Sequence, residues 1–533
     1  MDPLIQSLLR PEAYPHPTGT IELQETHSAW VLLTGPFAYK LRKPVNFGFL
    51  DFSSPEQRRF CASEELRLNR RLAPDLYLDL VPVQGPPEHA HVGGEGPGLE
   101  LAVRMRQFEA HQLLPAVLAR GELSAACLQQ LAVELARFHA QAAVAPRAGP
   151  YGTPSAVREP IDHSLAALQA TPELQPRLRP LQDWLEAQFP QLEPFFLQRL
   201  RDGWIRECHG DLHLGNMWLE AGRIRVFDCL EFNAGLRWID TISELAFLVM
   251  DLQTRGQPEA GLRVLNTWLD WCGDWQGLRA WRWYSLYRAL VRAKVAELRR
   301  RQHPAGVNAA ADASERDHYL DQAAAWCTPR PTALVLMHGP SGSGKSWLSE
   351  QLAPAIGALR LRSDVERKRL FGLWGEPRLN PLSGDLYSPA TSTQLFSQTL
   401  PAQAEAILAA GYSALVDATF LRQVDREPLL ALGRRLTVPV LILSLACRPE
   451  LARQRIRDRH TQGQDPSDAD LTVLEQQLRE QESLTPAERQ AVTLVELEDQ
   501  PDPAVLAEQL RHWLLTRATP PHWHARTCRS SPG

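Results

Sequence analysis

The chain has 533 residues, which is long enough for two or more domains that each bury a core. A composition of 44% hydrophobic and 22% charged residues excludes an extensively disordered chain. The net charge of -5 argues against a protein built mainly to bind nucleic acid or an anionic membrane.

None of the eight cysteines forms a C-x-x-C pair, so neither a zinc site nor a disulfide framework is indicated. The N-terminus lacks the cationic and apolar regions of a secretory signal. The most apolar run, Ile239 to Leu252, is interrupted by three acidic residues and is too short to span a bilayer. We therefore expect a reduced, cytoplasmic protein with no membrane segment.

The first hundred residues predict a small β-rich lobe with one helix. Periodicity and turn residues place its strands at Thr20–Glu25, Ala29–Thr34, Phe37–Arg42, Leu76–Val83 and Leu99–Met105, and its helix at Pro55–Leu72. Lys40 lies on the third strand, and Glu64 and Glu65 lie on the helix. Lys40 is one of only five lysines beside 52 arginines, which makes it a candidate for chemistry that arginine cannot replace.

From Leu113 onward the pattern is helical, with predicted helices at 113–119, 124–142, 162–187 and through 236–326. The last segment contains a dense group of tryptophans and tyrosines. Packing between helices is the favoured interpretation of this group, with a sugar- or base-stacking pocket as the alternative.

A polar motif interrupts the helices. His209, Asp211 and Asn216 have the spacing H-x-D-x-x-x-x-N, and Asp228 follows twelve residues later. The two halves of this stretch alternate apolar and polar residues around a Glu-Ala-Gly turn, which predicts a hairpin. A carboxylate near a nucleophile and an Asn/Asp pair on a divalent ion meet the needs of phosphoryl transfer.

This arrangement resembles the aminoglycoside and choline phosphotransferase branch of the kinase-like enzymes. The resemblance implies an α+β protein-kinase-like fold, with a small β-rich lobe and a helical lobe. It implies that Asp211 orients or deprotonates the acceptor hydroxyl, and that Asn216 and Asp228 hold Mg²⁺ on ATP. Lys40 matches the strand lysine that pairs with the phosphates, and Glu65, or with less support Glu64, the carboxylate that positions it. No G-x-G-x-x-G loop precedes Lys40, and the branch tolerates that absence.

Residues 339–346 fill every position of the phosphate-binding pattern G-x-x-x-x-G-K-[ST]. An apolar strand, Thr332–His338, precedes the loop and a helix, Trp347–Ala353, follows it. Backbone N–H groups, the Lys345 charge and the Ser346 hydroxyl suit a Mg²⁺-nucleotide. The predicted nucleotide-binding residues are Gly339, Ser341, Gly342, Ser343, Gly344, Lys345 and Ser346.

Strands and helices alternate after the loop, which predicts a parallel sheet of the α/β P-loop NTPase class. The further predicted strands are Ala358–Ser363, Tyr412–Val416, Val438–Leu445 and Thr493–Leu497. Asp364 and Asp417 follow two of these strands, at the sheet edge where ligands bind.

This half looks like the small P-loop kinases that include polynucleotide 5′-kinase, gluconate kinase and the zeta toxins. The resemblance implies that Asp364 accepts the hydroxyl proton, that Arg367 contacts substrate or phosphate, and that Asp417 supports Mg²⁺. Arg455 and Arg459 share a helix face and could form a lid over the phosphates; a solvated helix face is the alternative.

Two kinase-type sets in one chain resemble bacterial bifunctional aminoglycoside phosphotransferase/ATP-binding proteins. We expect a kinase-like domain at 1–327, a P-loop kinase domain at 328–518 and a disordered tail at 519–533. The predicted function is transfer of the ATP γ-phosphoryl group, with Mg²⁺, to hydroxyls of small-molecule acceptors at two sites. One alternative is that the kinase-like half only binds nucleotide or ligand and regulates the other. Another is a nucleic-acid 5′-hydroxyl kinase, against which the acidic net charge argues.

Overall fold

The computed structural model describes residues 2–26, 28–46, 51–96, 98–302, 308–375, 385–462, 470–497 and 501–516. Packing divides the chain into two compact units. The first comprises Met1–Ala167 with Phe189–Asp251, and the second comprises Leu168–Gln188 with Leu252–Gly533. Among the described residues, no helix is both long and apolar enough to cross a bilayer.

The first unit contains a six-stranded antiparallel sheet in the order β1-β2-β3-β6-β4-β5. Its strands are β1 Glu22–Glu25, β2 Ala29–Leu33, β3 Phe37–Arg42, β4 Tyr77–Gln84, β5 His91–Val92 and β6 Glu100–Arg106. Lys40 lies on β3 opposite Val31 of β2 and Val103 of β6. The predicted β-rich lobe is therefore confirmed, with β5 as an additional strand.

Between residues 3 and 201, the described part of the chain also forms six α-helices. They are α1 Pro3–Leu8, α2 Pro55–Asn69, α3 Leu114–Ala119, α4 Ala125–Gln141, α5 Pro154–Gln169 and α6 Gln175–Arg201. The predicted single helix at 162–187 is wrong, because two helices cover this stretch and meet near residue 172. Pro160 lies inside α5. A proline inside a helix removes one hydrogen bond and tends to bend the helix, but Pro160 does not end α5 as the sequence suggested.

Two small antiparallel pairs surround the His209 motif. They are β7 Ile205–Glu207 with β10 Trp238–Asp240, and β8 Met217–Glu220 with β9 Arg223–Val226. The predicted hairpin is confirmed as β8–β9, with Ala221 and Gly222 at positive φ in its turn. The prediction that 236–326 is entirely helical is wrong at its start, since β10 pairs with β7 before helix α7, Thr241–Thr254, begins.

The second unit groups three helices with the P-loop sheet. These helices are α8 Pro258–Cys272, α9 Trp281–Gln302 and α10 Ala309–Cys327. Trp268 and Trp281 are fully buried, and Trp275 and Trp283 are 1% exposed. The aromatic group is therefore core, as the favoured interpretation predicted. The boundary at 327/328 stays a prediction, and the tail at 519–533 lies outside the described residues.

The sheet of the second unit is entirely parallel, in the order β12-β13-β11-β14-β15. Its strands are β11 Leu334–His338, β12 Ala358–Arg362, β13 Ser413–Asp417, β14 Val440–Leu445 and β15 Thr493–Leu497. Its helices are α11 Lys345–Ala355, α12 Ser363–Leu370, α13 Pro389–Gln394, α14 Leu400–Ala409, α15 Gln423–Leu436, α16 Pro449–Gln462, α17 Leu471–Glu480, α18 Pro486–Ala491 and α19 Pro503–Thr516. A π-helical turn, Leu395–Thr399, joins α13 to α14.

Every residue of β11 and β13 is buried, as expected for central strands covered on both faces. Parallel order brings the carboxyl ends of β11, β12 and β13 to one edge of the sheet. The phosphate loop, Asp364 and Asp417 follow or end these three strands, so the fold gathers them as the sequence predicted.

Candidate active sites

The loop after β7 is fixed by buried polar groups. His209 is fully buried, its Nε2 lies 2.9 Å from the Phe227 carbonyl oxygen, and the Asp211 N–H donates to its Nδ1 at 3.3 Å. Burial lowers the pKa of His209 despite nearby carboxylates, which keeps the ring neutral with its proton on Nε2. The Gly210 N–H donates to Glu244 Oε1 at 2.6 Å. Histidine and glycine thereby set the direction of the Asp211 side chain.

Asp211 and Asn216 form one hydrogen-bonded pair. The Asn216 amide donates to Asp211 Oδ2 and to the Asp211 carbonyl oxygen, each at 3.0 Å. The Asp211 side chain is 37% exposed, and His213 Nε2 lies 3.4 Å from its Oδ2. Asp211 can therefore meet an incoming hydroxyl while Asn216 keeps its side-chain oxygen as an acceptor.

Lys40 lies between two carboxylates. Its Nζ is 2.7 Å from Glu65 Oε1 and 2.6 Å from Asp228 Oδ1. Burial alone would lower the pKa of Lys40, but Asp228 and Glu65 outweigh burial and raise it, so the ammonium stays charged. Glu64 instead contacts Arg67 and Arg237. The structure brings Lys40 together with Glu65 rather than Glu64.

Asp228 follows β9 in a left-handed backbone conformation, with φ 62°. Its N–H donates to the Tyr77 hydroxyl at 3.1 Å, which holds this strained turn. Burial would raise the pKa of Asp228, but Lys40 and Arg42 overcome that effect and lower it. Because Met217 pairs with Val226 in the β8–β9 hairpin, Asn216 and Asp228 lie at the same end of it. Their amide and carboxylate oxygens form a donor set that fits Mg²⁺.

Two buried residues of this cluster were missed from the sequence. The Arg42 guanidinium bonds to Glu65 and lies 2.7 Å from Glu231 Oε1. Burial, with the negative charge of Glu65, raises the pKa of Glu231 to about 7 although Arg42 opposes the shift. The available signal was spacing: Arg42 is two residues from Lys40 and so shares its face of the strand.

In the second unit a cavity of about 380 Å³ opens at the carboxyl edge of the parallel sheet. It is lined by predicted residues from four parts of the sequence: Ser341, Gly342, Gly344, Lys345, Ser346, Asp364, Arg367, Asp417 and Arg455. The volume is that of a small-ligand site. Gly339 and Ser343 belong to the loop but do not line the cavity, and the Arg459 side chain lies outside the described part of the chain.

The phosphate loop depends on glycine at Gly342. Its φ is 79°, and a Cβ there would lie 2.6 Å from the Ala452 carbonyl oxygen. The Lys345 ammonium donates to the Pro340 carbonyl oxygen at 2.7 Å, and the Arg455 guanidinium donates to the Gly342 carbonyl oxygen at 3.3 Å. Arg455 therefore lies on the loop rather than on a solvated helix face.

Gln477 of α17 is a further contact that the sequence did not suggest. Its side-chain oxygen accepts the Ser341 N–H at 2.8 Å. The glutamine lies far along the chain in an amphipathic helix, where no motif distinguishes it from its neighbours. Helices α16 and α17 thus both contact the phosphate loop.

Arg367 is 7% exposed and faces the cavity from α12. It donates to the Leu386 carbonyl oxygen at 3.0 Å, and its Cζ lies 4.7 Å from the Tyr387 ring centre. Its Nε has no hydrogen-bond partner among the described residues. A buried guanidinium with an unused donor is suited to an anionic ligand group.

Asp364 and Asp417 lie at the carboxyl ends of β12 and β13, the two strands on one side of β11 in the sheet. Asp364 is in the first turn of α12, and Asp417 ends β13 and is 5% exposed. Asp417 Oδ2 accepts the Ser349 hydroxyl at 2.9 Å, which leaves Oδ1 as a further acceptor. With the Ser346 hydroxyl, Asp417 supplies hard oxygen donors that fit Mg²⁺.

A phosphate loop with an Asp-x-x-Arg helix, and a His-x-Asp loop with a strand lysine, define an ATP-dependent kinase. The family models agree. The "Phosphotransferase enzyme family" matches residues 53–281, and the "AAA domain" family matches residues 334–484. The chain is an ATP-dependent kinase that joins a phosphotransferase domain to a P-loop kinase domain.

The uncharacterized protein Rv2004c of Mycobacterium tuberculosis is 32% identical over 406 residues, which cover 75% of this chain and 78% of that protein. The chain therefore belongs to the same family as this mycobacterial protein. A choline/ethanolamine kinase family protein from Mesorhizobium loti is 12% identical, over 60% of this chain and 97% of its own, with a TM-score of 0.34. Shikimate kinase from Acinetobacter baumannii is 17% identical, over 35% and 94%, with a TM-score of 0.24. The family assignment rests on the sequence matches.

Proposed function

We propose that each half transfers the γ-phosphoryl group of ATP to a hydroxyl of a small-molecule acceptor. In the kinase-like half, Lys40 pairs with the ATP phosphates and Glu65 keeps it in place. Asn216 and Asp228 hold Mg²⁺, which neutralises charge on the phosphates when bound. Asp211 orients the acceptor hydroxyl and takes its proton as the oxygen attacks phosphorus.

In the P-loop half, the loop N–H groups and Lys345 bind the phosphates, while Ser346 and Asp417 support Mg²⁺. Asp364 takes the acceptor proton. Arg367 binds the acceptor or the transferring phosphoryl group, and Arg455 stabilises charge on the phosphates from the opposite side. Arg459 is assigned to the same lid from its spacing alone.

One observation carries the proposal. The cavity of about 380 Å³ brings the phosphate loop together with a carboxylate, Asp364, and with Arg367, whose Nε has no hydrogen-bond partner among the described residues. A site that only hydrolysed ATP to drive motion would not need an acceptor base and an anion-binding arginine beside the phosphate loop.

The test measures acceptor-dependent ADP release with Mg²⁺-ATP and a panel of sugars, polyols, amino alcohols and one 5′-hydroxyl oligonucleotide. Asp211→Asn and Asp364→Asn should each remove a different acceptor activity by about 1,000-fold, because each removes a base that the other half does not supply. The exposed controls Asp162→Asn and Asp321→Asn should keep both activities. If neither catalytic variant changes any turnover, the proposal is wrong.

A second candidate is that the kinase-like half binds nucleotide without transferring phosphate. It is favoured by the short β1–β2 connection, since β1 ends at Glu25 and β2 begins at Ala29, which leaves little loop to cover phosphates. ATP-induced stabilisation that Asp228→Asn abolishes, without any turnover sensitive to Asp211→Asn, would support this candidate. Loss of acceptor labelling in Asp211→Asn would exclude it.

A further inference from the structure

Arg360 is a partly buried arginine of the edge strand β12 that no motif identifies. Its guanidinium crosses to the start of α11 and donates to the Ser346 carbonyl oxygen at 3.0 Å and to Ser349 Oγ at 3.4 Å. Burial lowers the pKa of Arg360, and Arg362 adds to that effect, with Asp270 and Asp417 opposing it. A cation is therefore held against the start of α11, and it does not line the cavity.

Ser349 connects this cation to the carboxylate at the end of β13. Ser349 is fully buried, and its Oγ lies 2.9 Å from Asp417 Oδ2 and 3.0 Å from the Ser346 carbonyl oxygen. The serine has one proton to donate, and because the Ser346 carbonyl oxygen already accepts an Arg360 N–H, donation to Asp417 is favoured. The hydroxyl bond fixes one Asp417 oxygen and leaves the other for the cavity.

The backbone of Arg360 is held from outside the sheet. The Asn266 side chain on α8 accepts the Arg360 N–H at 2.5 Å and donates to the Arg360 carbonyl oxygen at 3.0 Å. Both backbone groups of an edge-strand residue are thus satisfied by one amide side chain. Asn266 lies within residues 53–281, the range that matches the phosphotransferase family.

We infer that Arg360 and Ser349 are positioning residues for the magnesium side of the P-loop site, and that Asn266 of α8 completes this support. The inference rests on the proposed roles of Ser346 and Asp417. Groups that orient metal ligands without touching the metal often change its affinity strongly when they are removed. Helix α8 then supports the P-loop site, although its sequence lies in the range that matches the phosphotransferase family.

The test separates metal support from general stability. ADP binding to the full chain carrying Asp228→Asn, which removes the other site, is measured by calorimetry with Mg²⁺ and with a chelator. Mn²⁺ binding is measured by electron paramagnetic resonance. Ser349→Ala and Arg360→Met should weaken Mn²⁺ and Mg²⁺-dependent ADP binding about tenfold, with metal-free ADP affinity changed by less than about threefold. Arg360→Lys should retain more metal-dependent binding than Arg360→Met. Asn266→Ala should also weaken metal-dependent binding, by a smaller factor.

Arg435→Met is the matched control, because this exposed arginine of the same unit pairs with Glu405 on the surface. Equal losses with and without metal, or unchanged Mn²⁺ affinity in a folded Ser349→Ala protein, would overturn the inference. Absence of Mg²⁺-dependent ADP binding in the Asp228→Asn parent would instead overturn the proposed function of the P-loop half. The two failures are therefore distinguishable.

Discussion

In the kinase-like half Lys40 lies within 2.7 Å of two carboxylates, whereas in the P-loop half the buried Arg367 lies on a carbonyl oxygen and an aromatic ring. The Lys40 ammonium is positioned by two carboxylates of the protein itself, Glu65 and Asp228. Arg367 keeps an N–H without a partner among the described residues. In the proposed roles, the ATP phosphates compete with Asp228 for Lys40, whereas Arg367 has no acid as an ion-pair partner among the described residues.

This difference indicates what each site depends on. Ion pairing of Lys40 and Arg42 with buried acids contributes to both the stability and the shape of the first unit, so its lysine cannot be altered without cost. The P-loop half relies on backbone shape, because the loop presents N–H groups whose direction is set by glycine φ angles. Substitutions should therefore damage folding in the first site and binding in the second.

The largest expected effect is from Lys40→Met. It removes the cation that lies between Glu65 and Asp228, and the fully buried Glu65 then keeps Arg42 as its ion-pair partner. Removing one partner of a buried ion pair costs about 3–5 kcal/mol. Because Arg42 still pairs with Glu65, we expect the lower end of this range, a loss of about 3 kcal/mol in the free energy of unfolding of the first unit in urea. Lys43→Met is the control, since Lys43 pairs with an exposed residue, Glu25, and should cost at most about 1 kcal/mol. Equal stability of the two variants would contradict the comparison.

Gly342→Ala should act on binding. The alanine Cβ would lie 2.6 Å from the Ala452 carbonyl oxygen, in a left-handed backbone conformation. The loop must therefore shift, and its N–H groups no longer point at the phosphates. We expect ATP affinity of the P-loop half to fall about 100-fold, or about 2.7 kcal/mol, in calorimetric titration. Gly357→Ala is matched, with φ 69° but nothing within 4 Å of its Cβ, and should leave ATP affinity unchanged. Loss of affinity in both variants would show that backbone strain alone, and not loop shape, is responsible.

Much of both sites could be predicted because their motifs are local. The spacing of His209, Asp211 and Asn216 lies within one loop, and the phosphate loop is eight consecutive residues. Arg360 and Asn266 could not be predicted, since they are 94 residues apart and pair only through packing of α8 on an edge strand. Arg42 and Glu231 were also missed, because they pair only in the folded chain, although Arg42 lies two residues from Lys40 on the same face of β3. Buried charge pairs of this kind depend on tertiary burial, which neither periodicity nor motif spacing reports.

The smallest expected effect concerns Glu244, the acid beneath the Asp211 loop. Burial would raise the pKa of Glu244, but His139, at 2.9 Å, His209 and the Gly210 N–H lower it from 4.5 to about 2. Because the folded-state pKa is below the unfolded value, the carboxylate stabilises the fold above pH 4.5 and loses this contribution as the pH falls towards 2. Glu244→Gln keeps an acceptor for Gly210 but no longer provides a charge for His139.

We therefore expect Glu244→Gln to lower the free energy of unfolding of the first unit by about 2 kcal/mol at pH 7. The difference from the unsubstituted protein should shrink as the pH is lowered from 5 towards 3 in urea titrations, while Glu122→Gln, at an exposed pair with Arg120, should show little difference at any pH. A Glu244→Gln deficit that stayed constant with pH would mean that Glu244 acts through shape alone. A loss of stability that shrinks at low pH would show that the kinase-like site depends on the buried charge of Glu244 beneath the Asp211 loop, as well as on the charges around Lys40.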